Sequence, residues 1–235
     1  MGSVDELIQQ LESGDERARR EAAHALGDHH DPRSIDALIS ILEDSSDKYS
    51  VRIEAADALG RIGDPKAIEP LIRTLENERT RENNMDARDL AIVIAESLGA
   101  FRDTRSTDAL VKALVGDSDI SFVAAKSLMK LRDRRAVEPL IRIVEDDKSR
   151  TFERENAVQV LGVLGDPRAV PALAKTLRYD SQLTRKYALD ALRPFILTHP
   201  DAIIRISPED RSLLGRILQE EQLKEFTKRF CGSFR

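Results

Sequence analysis

Residues 51–72 read VRIEAADALGRIGDPKAIEPLI, and they contain the two helical patterns on which the fold depends. Small and aliphatic residues precede Gly63, which can take the left-handed conformation that ends a helix. Asp64 and Pro65 suit the start of a second helix, because Asp caps free N–H groups and Pro has none to satisfy. Apolar residues then follow at helical spacing: Ile68, Leu71, Ile72 and Leu75. The stretch predicts two helices joined by a tight turn.

The turn of this stretch recurs along the chain. Its aspartate reappears in five copies, at steps of 33, 39, 30 and 33 residues. The copies are Asp31-Pro32-Arg33, Asp64-Pro65-Lys66, Asp103-Thr104-Arg105, Asp133-Arg134-Arg135 and Asp166-Pro167-Arg168, with a degenerate sixth at His199-Pro200-Asp201. A helix pair of about 30 residues cannot bury its apolar face alone, so neighbouring pairs must stack into a solenoid.

We therefore expect an all-α fold, a right-handed α-α superhelix of about six helix pairs with a capping helix at each end. A single domain over residues 1–235 is predicted. Its parts are an N-terminal capping helix in 1–14, the repeats in 15–206 and a C-terminal capping helix in 207–235. Ser207 and Pro208 are typical of the first residues of that last helix.

The composition limits the classes of partner. Aromatic residues make up 4% and tryptophan is absent, which disfavours an all-β sandwich. With 37 basic and 42 acidic residues the formal charge is −5, so we expect no nucleic-acid partner. We expect no membrane partner, because the sequence has no long apolar stretch. The single cysteine, Cys231, cannot form an internal disulfide, and a reducing cytoplasm is the expected location.

The stretch from Ala58 to Leu71 closely resembles HEAT-like repeats of the kind first named in phycobilisome lyases. It matches their pattern, Ala-Leu-Gly-x-Ile-Gly-Asp-Pro-x-Ala-Ile-x-Pro-Leu, almost residue for residue. The resemblance covers residues 15–206 and implies a HEAT/armadillo-like solenoid. It is specific for the fold and weak for function, because lyase subunits, hydroxylases and adaptors share this repeat.

The resemblance also implies a binding surface, because the second helix of each pair lines the concave side in this class of repeat. Apolar residues flanked by both charge signs would suit a partner helix or an extended peptide. We therefore expect a non-catalytic scaffold or adaptor that binds a protein or peptide partner there. Position by position, the resemblance assigns this surface to Tyr49, Ile53, Glu54, Asp57, Ile92, Val93, Glu96, Phe122, Val123, Lys126, Phe152, Glu155, Leu183, Lys186 and Tyr187.

The third and fourth copies depart from the consensus, which leaves two interpretations of their apolar residues. Ile92, Val93, Phe122 and Val123 either line the concave surface or pack in the core between repeats. The sequence alone does not decide between them.

Residues that could perform catalysis or bind a metal are few. Histidine is a common metal ligand, and the sequence has a cluster of three, His24, His29 and His30. Their spacing matches no common zinc signature, so we expect no metal. No catalytic or cofactor-binding residue is predicted. The basic patch Lys130, Arg132, Arg134 and Arg135 is typical of a solvated loop, with contact to an acidic partner as the alternative. The repeat type implies one enzymatic alternative, a bilin lyase or isomerase subunit.

Overall fold

The structure is a computed structural model that describes residues 3–81, 83–178, 181–198, 201 and 205–231. The described residues form helices and turns and contain no strand, which confirms the all-α prediction. The chain divides into two compact units, Met1–Ala136 (unit 1) and Val137–Arg235 (unit 2). A single domain stays a prediction, and His199 and Pro200 of the sixth phrase lie outside the described residues.

Unit 1 consists of four helix pairs in two layers. In each pair an A helix packs on the B helix that follows it, and within each layer successive helices pack on one another. The A helices are α1 (Val4–Ser13), α3 (Ile35–Glu43), α5 (Ile68–Glu78) and α7 (Thr107–Ala113). The B helices are α2 (Glu16–His29), α4 (Tyr49–Ile62), α6 (Met85–Phe101) and α8 (Ser118–Leu131).

Unit 2 has two further pairs and a last helix. The A helices are α9 (Val137–Glu145) and α11 (Val170–Lys175), and the B helices are α10 (Thr151–Leu164) and α12 (Gln182–Thr198). The last helix, α13 (Pro208–Cys231), packs on α11. The Oγ of Ser207 accepts the N–H of Asp210 at 3.1 Å, which confirms the predicted start of this helix. The described residues thus hold six helix pairs, and α1, predicted as the N-terminal capping helix, is the A helix of the first pair.

The apolar ladder of the A helices supplies much of the core. In α3, Ile35, Leu38 and Leu42 are almost fully buried, and their equivalents in α5 are Ile68, Leu71 and Leu75. Val137, Leu140 and Val144 occupy the same positions of α9 in unit 2 and are also buried. These side chains are withdrawn from water only because neighbouring helices cover them, so stacking stabilises each pair.

The aspartates of the repeated phrase cap the turns that follow them. In all five copies the carboxylate accepts the N–H two residues later, at 2.8 to 3.0 Å. In the third copy the Arg105 guanidinium also donates to Asp103, and the two contacts hold the pKa of this carboxyl below its ordinary value. The stabilisation is therefore present above the ordinary pKa of about 3.9 and is lost as the pH falls through the lowered value.

The B helices α2, α4, α6, α8 and α10 end in a left-handed residue, as predicted for Gly63 and Gly165. Their φ angles are 73° and 61°. Three other B helices place a side-chain-bearing residue in the same conformation, namely His30 at 52°, Arg102 at 53° and Arg132 at 53°. No helix in the described part of the chain combines the length and hydrophobicity needed to cross a membrane.

Candidate functional site

The B helices of unit 1 approach one another closely at glycine. A Cβ atom on Gly60 of α4 would lie 2.5 Å from the Oγ of Ser97 of α6, so only glycine fits without a shift. A Cβ on Gly99 of α6 would likewise lie 2.6 Å from the Cβ of Ser127 of α8. Both serines donate to a carbonyl of the preceding B helix, Ser97 to Ala56 at 3.1 Å and Ser127 to Ala95 at 2.7 Å. These repeated contacts fix how the three helices align.

This alignment settles the register of the third and fourth copies. Ser97 and Ser127 have the same role, and they are 30 residues apart. Adding the same step places Phe122 of α8 beside Ile92 of α6, and Val123 beside Val93. We call these four residues the apolar patch.

The apolar patch lies on the solvent-exposed face of the B layer, which we call its outer face, rather than in the core. Phe122 is 52% exposed, and Ile92, Val93 and Val123 are partly exposed. The buried positions of the two helices are occupied by other residues, namely Leu90, Ala91 and Ile94 of α6 and Ile120, Ser121 and Ala124 of α8. This exposure argues against the core interpretation for Phe122, and the place of these side chains on a concave binding surface stays a prediction.

Charged side chains lie along the apolar patch. Before it, Arg88 of α6 pairs with Asp119 of α8 at 3.5 Å. After it, the Lys126 ammonium lies 4.8 Å from the centre of the Phe122 ring, a cation–π contact, and Glu96 is exposed on α6. The patch is therefore bordered by polar groups, the arrangement found at protein interfaces.

The outer faces of α2 and α4 are polar instead. Glu54 of α4 lies 3.8 Å from Arg20 of α2, and Asp57 pairs with Arg61 at 2.9 Å. Arg61 also pairs with Asp28 of α2. Ile53, assigned to the binding surface by its position in the repeat, is partly exposed among these groups.

His24 approaches two carboxylates, a contact that the sequence did not predict. Its Nδ1 lies 3.4 Å from Glu54, and ligand atoms of His24, Glu54 and Asp57 lie within 4.8 Å of one another. These residue types could hold a metal ion. A guanidinium already provides positive charge there, because Arg61 Nη2 lies 3.4 Å from His24 Nδ1 and its Nε lies 2.9 Å from Asp57. The 33-residue step between copies of the sequence repeat predicts that α2 lies beside α4, and it could have indicated this contact.

In unit 2, the B helices α10 and α12 carry the remaining residues assigned to the surface. Phe152 is partly exposed, with the Arg150 guanidinium 5.7 Å from its ring centre. Glu155 accepts from the hydroxyls of Ser181 at 2.8 Å and Thr184 at 3.2 Å, so it holds the start of α12. The remaining three lie on α12: Leu183 is 44% exposed, Lys186 is exposed and Tyr187 is partly exposed.

The sequence of this chain matches two protein-family models of helical repeats. The model for HEAT repeats matches residues 4–88 and 83–153, which together are more than half of the chain. The chain belongs to the HEAT-repeat family. The model for the PBS lyase HEAT-like repeat matches residues 153–179, which confirms the resemblance seen in the sequence.

Several solved structures are similar to this chain in fold. An engineered protein has a TM-score of 0.56 and 20% identity, with 92% of this chain and 62% of that chain covered. A designed armadillo repeat protein in complex with the peptide (KR)4 has a TM-score of 0.54 and 17% identity, covering 83% and 100%. The complex of CpcE and CpcF of phycocyanin lyase from Nostoc sp. has a TM-score of 0.45 and 22% identity, covering 92% and 95%. No curated protein sequence matches this HEAT chain.

Tyr49 of this HEAT chain, assigned to the binding surface by its position, makes structural contacts. Its hydroxyl donates to Glu78 at 3.1 Å, and its ring lies 5.3 Å from the Arg52 guanidinium. Arg52 pairs with Glu78 at 2.9 Å, and its Nε donates to the carbonyl of Leu42 at 3.0 Å. The exposed fractions of the Arg52 and Glu78 side chains are 2% and 1%. The tyrosine thus helps to hold a buried ion pair.

The contact made by Arg52 repeats that of Arg19, one repeat earlier. The Nε of Arg19 donates to the Leu11 carbonyl at 2.9 Å, and its Nη1 donates to Asp47 at 2.8 Å. In both copies an arginine of the B helix donates to a carbonyl near the end of the A helix of its own pair and binds an acidic side chain of the next pair. The arginine therefore fixes the geometry of each pair.

Proposed function

We propose that this HEAT-repeat chain is a non-catalytic scaffold or adaptor that binds a partner polypeptide on the concave surface of the solenoid, lined by its B helices. The observation that carries the proposal is the apolar patch. Four apolar side chains on two packed helices remain in contact with water, although the same helices bury other apolar residues completely. Burying such a patch against a partner would remove apolar surface from water.

The chemistry of the patch suits a polypeptide. An exposed aromatic side chain supplies a large contact area with few rotatable bonds, and charged groups around it fix the orientation of the partner. The designed armadillo repeat protein of similar fold is a precedent, since it was solved in complex with a peptide. We expect Phe122 to be the main anchor in unit 1 and Phe152, Leu183 and Tyr187 to be a second apolar group in unit 2.

Two further aspects belong to this proposal. We place the protein in the cytoplasm, since its only cysteine cannot form an internal disulfide. A bilin lyase or isomerase role would rest on the repeat type alone. The adaptor is therefore the function that we propose.

Affinity capture from a native lysate tests the proposal. We expect Phe122→Ala to reduce recovery of the bound polypeptide about tenfold, because truncating an interface anchor costs about 1.4 kcal/mol or more. Helicity is measured by circular dichroism and is expected to be unchanged, since the Phe122 side chain is half exposed.

The matched control is Val115→Ala. Val115 is another exposed apolar side chain of unit 1, 49% accessible, and it lies between α7 and α8 outside the apolar patch. Recovery with this variant is expected to equal that of the wild type. Equal recovery with folded Phe122→Ala and wild-type protein would rule out the apolar patch as the binding surface.

A further inference from the structure

The positive charges of unit 1 that lack an acidic partner are unevenly distributed. In the part of unit 1 that the structure describes, most Lys and Arg side chains contact a carboxylate within 4.0 Å, such as Arg73 with Glu43 and Lys112 with Glu76. The exceptions are Lys48, Arg79, Arg102, Lys126, Lys130, Arg132 and Arg134. Five of these seven lie along the C-terminal half of α8 or just beyond the ends of α6 and α8.

The five cations are Arg102, Lys126, Lys130, Arg132 and Arg134. Lys126 and Lys130 continue the surface of the apolar patch along α8, and the three arginines follow the C-terminal ends of α6 and α8. Phe122, Lys126 and Lys130 are spaced four residues apart and therefore share one face of α8. Arg102 and Arg132 are 30 residues apart, the step that also relates Ile92 to Phe122. All five side chains are exposed, and none has a described ion pair. Lys126 alone among them has a described ring contact, with Phe122. We call all five the free cation group.

Arg102 and Arg132 occupy positions where glycine would be easier to accommodate. Both end a B helix in the left-handed conformation, with φ of 53°, and the equivalent residues of α4 and α10 are Gly63 and Gly165. A residue with a side chain is disfavoured in this conformation. Two copies nevertheless carry a long cation there, and these are the copies that carry the apolar patch.

We propose that the occupant of the apolar patch is a polypeptide segment in which a bulky apolar residue adjoins several acidic residues. This inference rests on the proposed function and specifies the chemistry of the partner. The apolar residue covers Phe122 and its neighbours, and the acidic residues lie over the free cation group. Carboxylates are the groups that guanidinium and ammonium donors bind most strongly among peptide side chains.

A protein segment fits this surface better than a nucleic acid does. Lys126 of the free cation group contacts the Phe122 ring, and the acidic Glu96, Asp103 and Asp133 lie among the cations. The whole chain carries a formal charge of −5, which repels a long polyanion. A short acidic and apolar segment contacts the cations without approaching the rest of the surface.

Selection from a random dodecapeptide phage library tests the inference on the full-length protein. We expect the enriched peptides to combine an aromatic or large aliphatic residue with several Asp or Glu residues. An enriched peptide, labelled with fluorescein, is then titrated by fluorescence anisotropy. We expect Lys130→Glu, Arg132→Glu and Arg134→Glu together to weaken binding about tenfold or more, and added salt to weaken binding to the wild type.

A matched triple variant controls for net charge. Arg142→Glu, Lys148→Glu and Lys175→Glu change three exposed cations of unit 2 by the same amount and are expected to leave the affinity unchanged. A triple Gln variant of Lys130, Arg132 and Arg134 guards against misfolding of the Glu variant, and both are checked by circular dichroism. The Gln variant is expected to weaken binding less than the Glu variant does.

The outcomes separate this inference from the proposed function. Peptides that lack acidic residues, or whose affinity is the same for the charge-reversed and wild-type proteins, overturn the inference. If such peptides still lose affinity with Phe122→Ala, the proposed function stands without it. The inference is also overturned if no peptide is enriched. It is likewise overturned if no peptide binds but a single-stranded oligonucleotide does, and charge reversal abolishes that binding.

Discussion

Glu78→Ala is expected to lower the free energy of unfolding by about 3–5 kcal/mol, because it removes one partner of a buried ion pair. The Arg52 guanidinium would remain buried beside Tyr49 without its carboxylate, and Arg52 Nη1 already has no hydrogen-bond partner among the described residues. Glu78 also accepts from the Tyr49 hydroxyl and pairs with Arg81 at 3.1 Å. Urea denaturation followed by circular dichroism measures the change.

A surface pair of the same chemistry provides the control. Arg73 and Glu43 pair at 2.6 Å, but their side chains are 59% and 38% exposed. Glu43→Ala is therefore expected to cost about 0–1 kcal/mol, because water solvates the arginine that is left. If both substitutions had the same small effect, the Arg52–Glu78 pair would not be the buried anchor that the structure shows. Replacing both members by apolar residues, Arg52→Met with Glu78→Leu, is expected to restore much of the loss.

Gly99→Ala is expected to lower the free energy of unfolding by about 1–3 kcal/mol, because the added methyl group overfills the contact between α6 and α8. The new Cβ would lie 2.6 Å from the Cβ of Ser127 and 2.9 Å from its Cα. Ser127 cannot turn away freely, since its Oγ donates to the Ala95 carbonyl at 2.7 Å. This crowding should outweigh the higher helix propensity of alanine, about 1 kcal/mol. Urea denaturation measures the net effect.

Gly215→Ala is the corresponding control on α13. No atom of the described residues lies within 4 Å of the Cβ that would be added, so we expect the substitution to bring only the gain in helix propensity. We expect it to raise stability by up to about 1 kcal/mol. A similar gain from Gly99→Ala would show that the B helices are farther apart than the structure places them.

The sequence was sufficient for the elements whose determinants are local. A capped turn needs only the Asp side chain and the N–H two residues later, so Asp64 and Asp166 could be assigned from their immediate neighbours. The left-handed ends at Gly63 and Gly165 followed from the same kind of argument. Arg102 and Arg132 were not foreseen in this conformation, because residue type favours glycine there and the repeat geometry overrides it.

The candidate site depended on contacts between repeats, which the sequence specified less well. Ile92 and Phe122 could be placed on the surface only once Ser97 and Ser127 showed how α6 and α8 align. The approach of His24 to Glu54 depends in the same way on the lateral spacing of α2 and α4. The partner-binding roles of all these residues stay predictions, because their placement shows exposure and not occupancy.

Site-specific photocrosslinking tests the central claim, that the apolar patch of unit 1 binds a polypeptide. The photoreactive residue p-benzoylphenylalanine would replace Phe122 in one protein and Val115 in another, and each would be irradiated in a native lysate. Both positions are about half exposed, so both present the probe to solvent equally well. We expect a discrete polypeptide adduct from position 122 and none from position 115. The same adducts from both positions, or none from position 122, would contradict the claim.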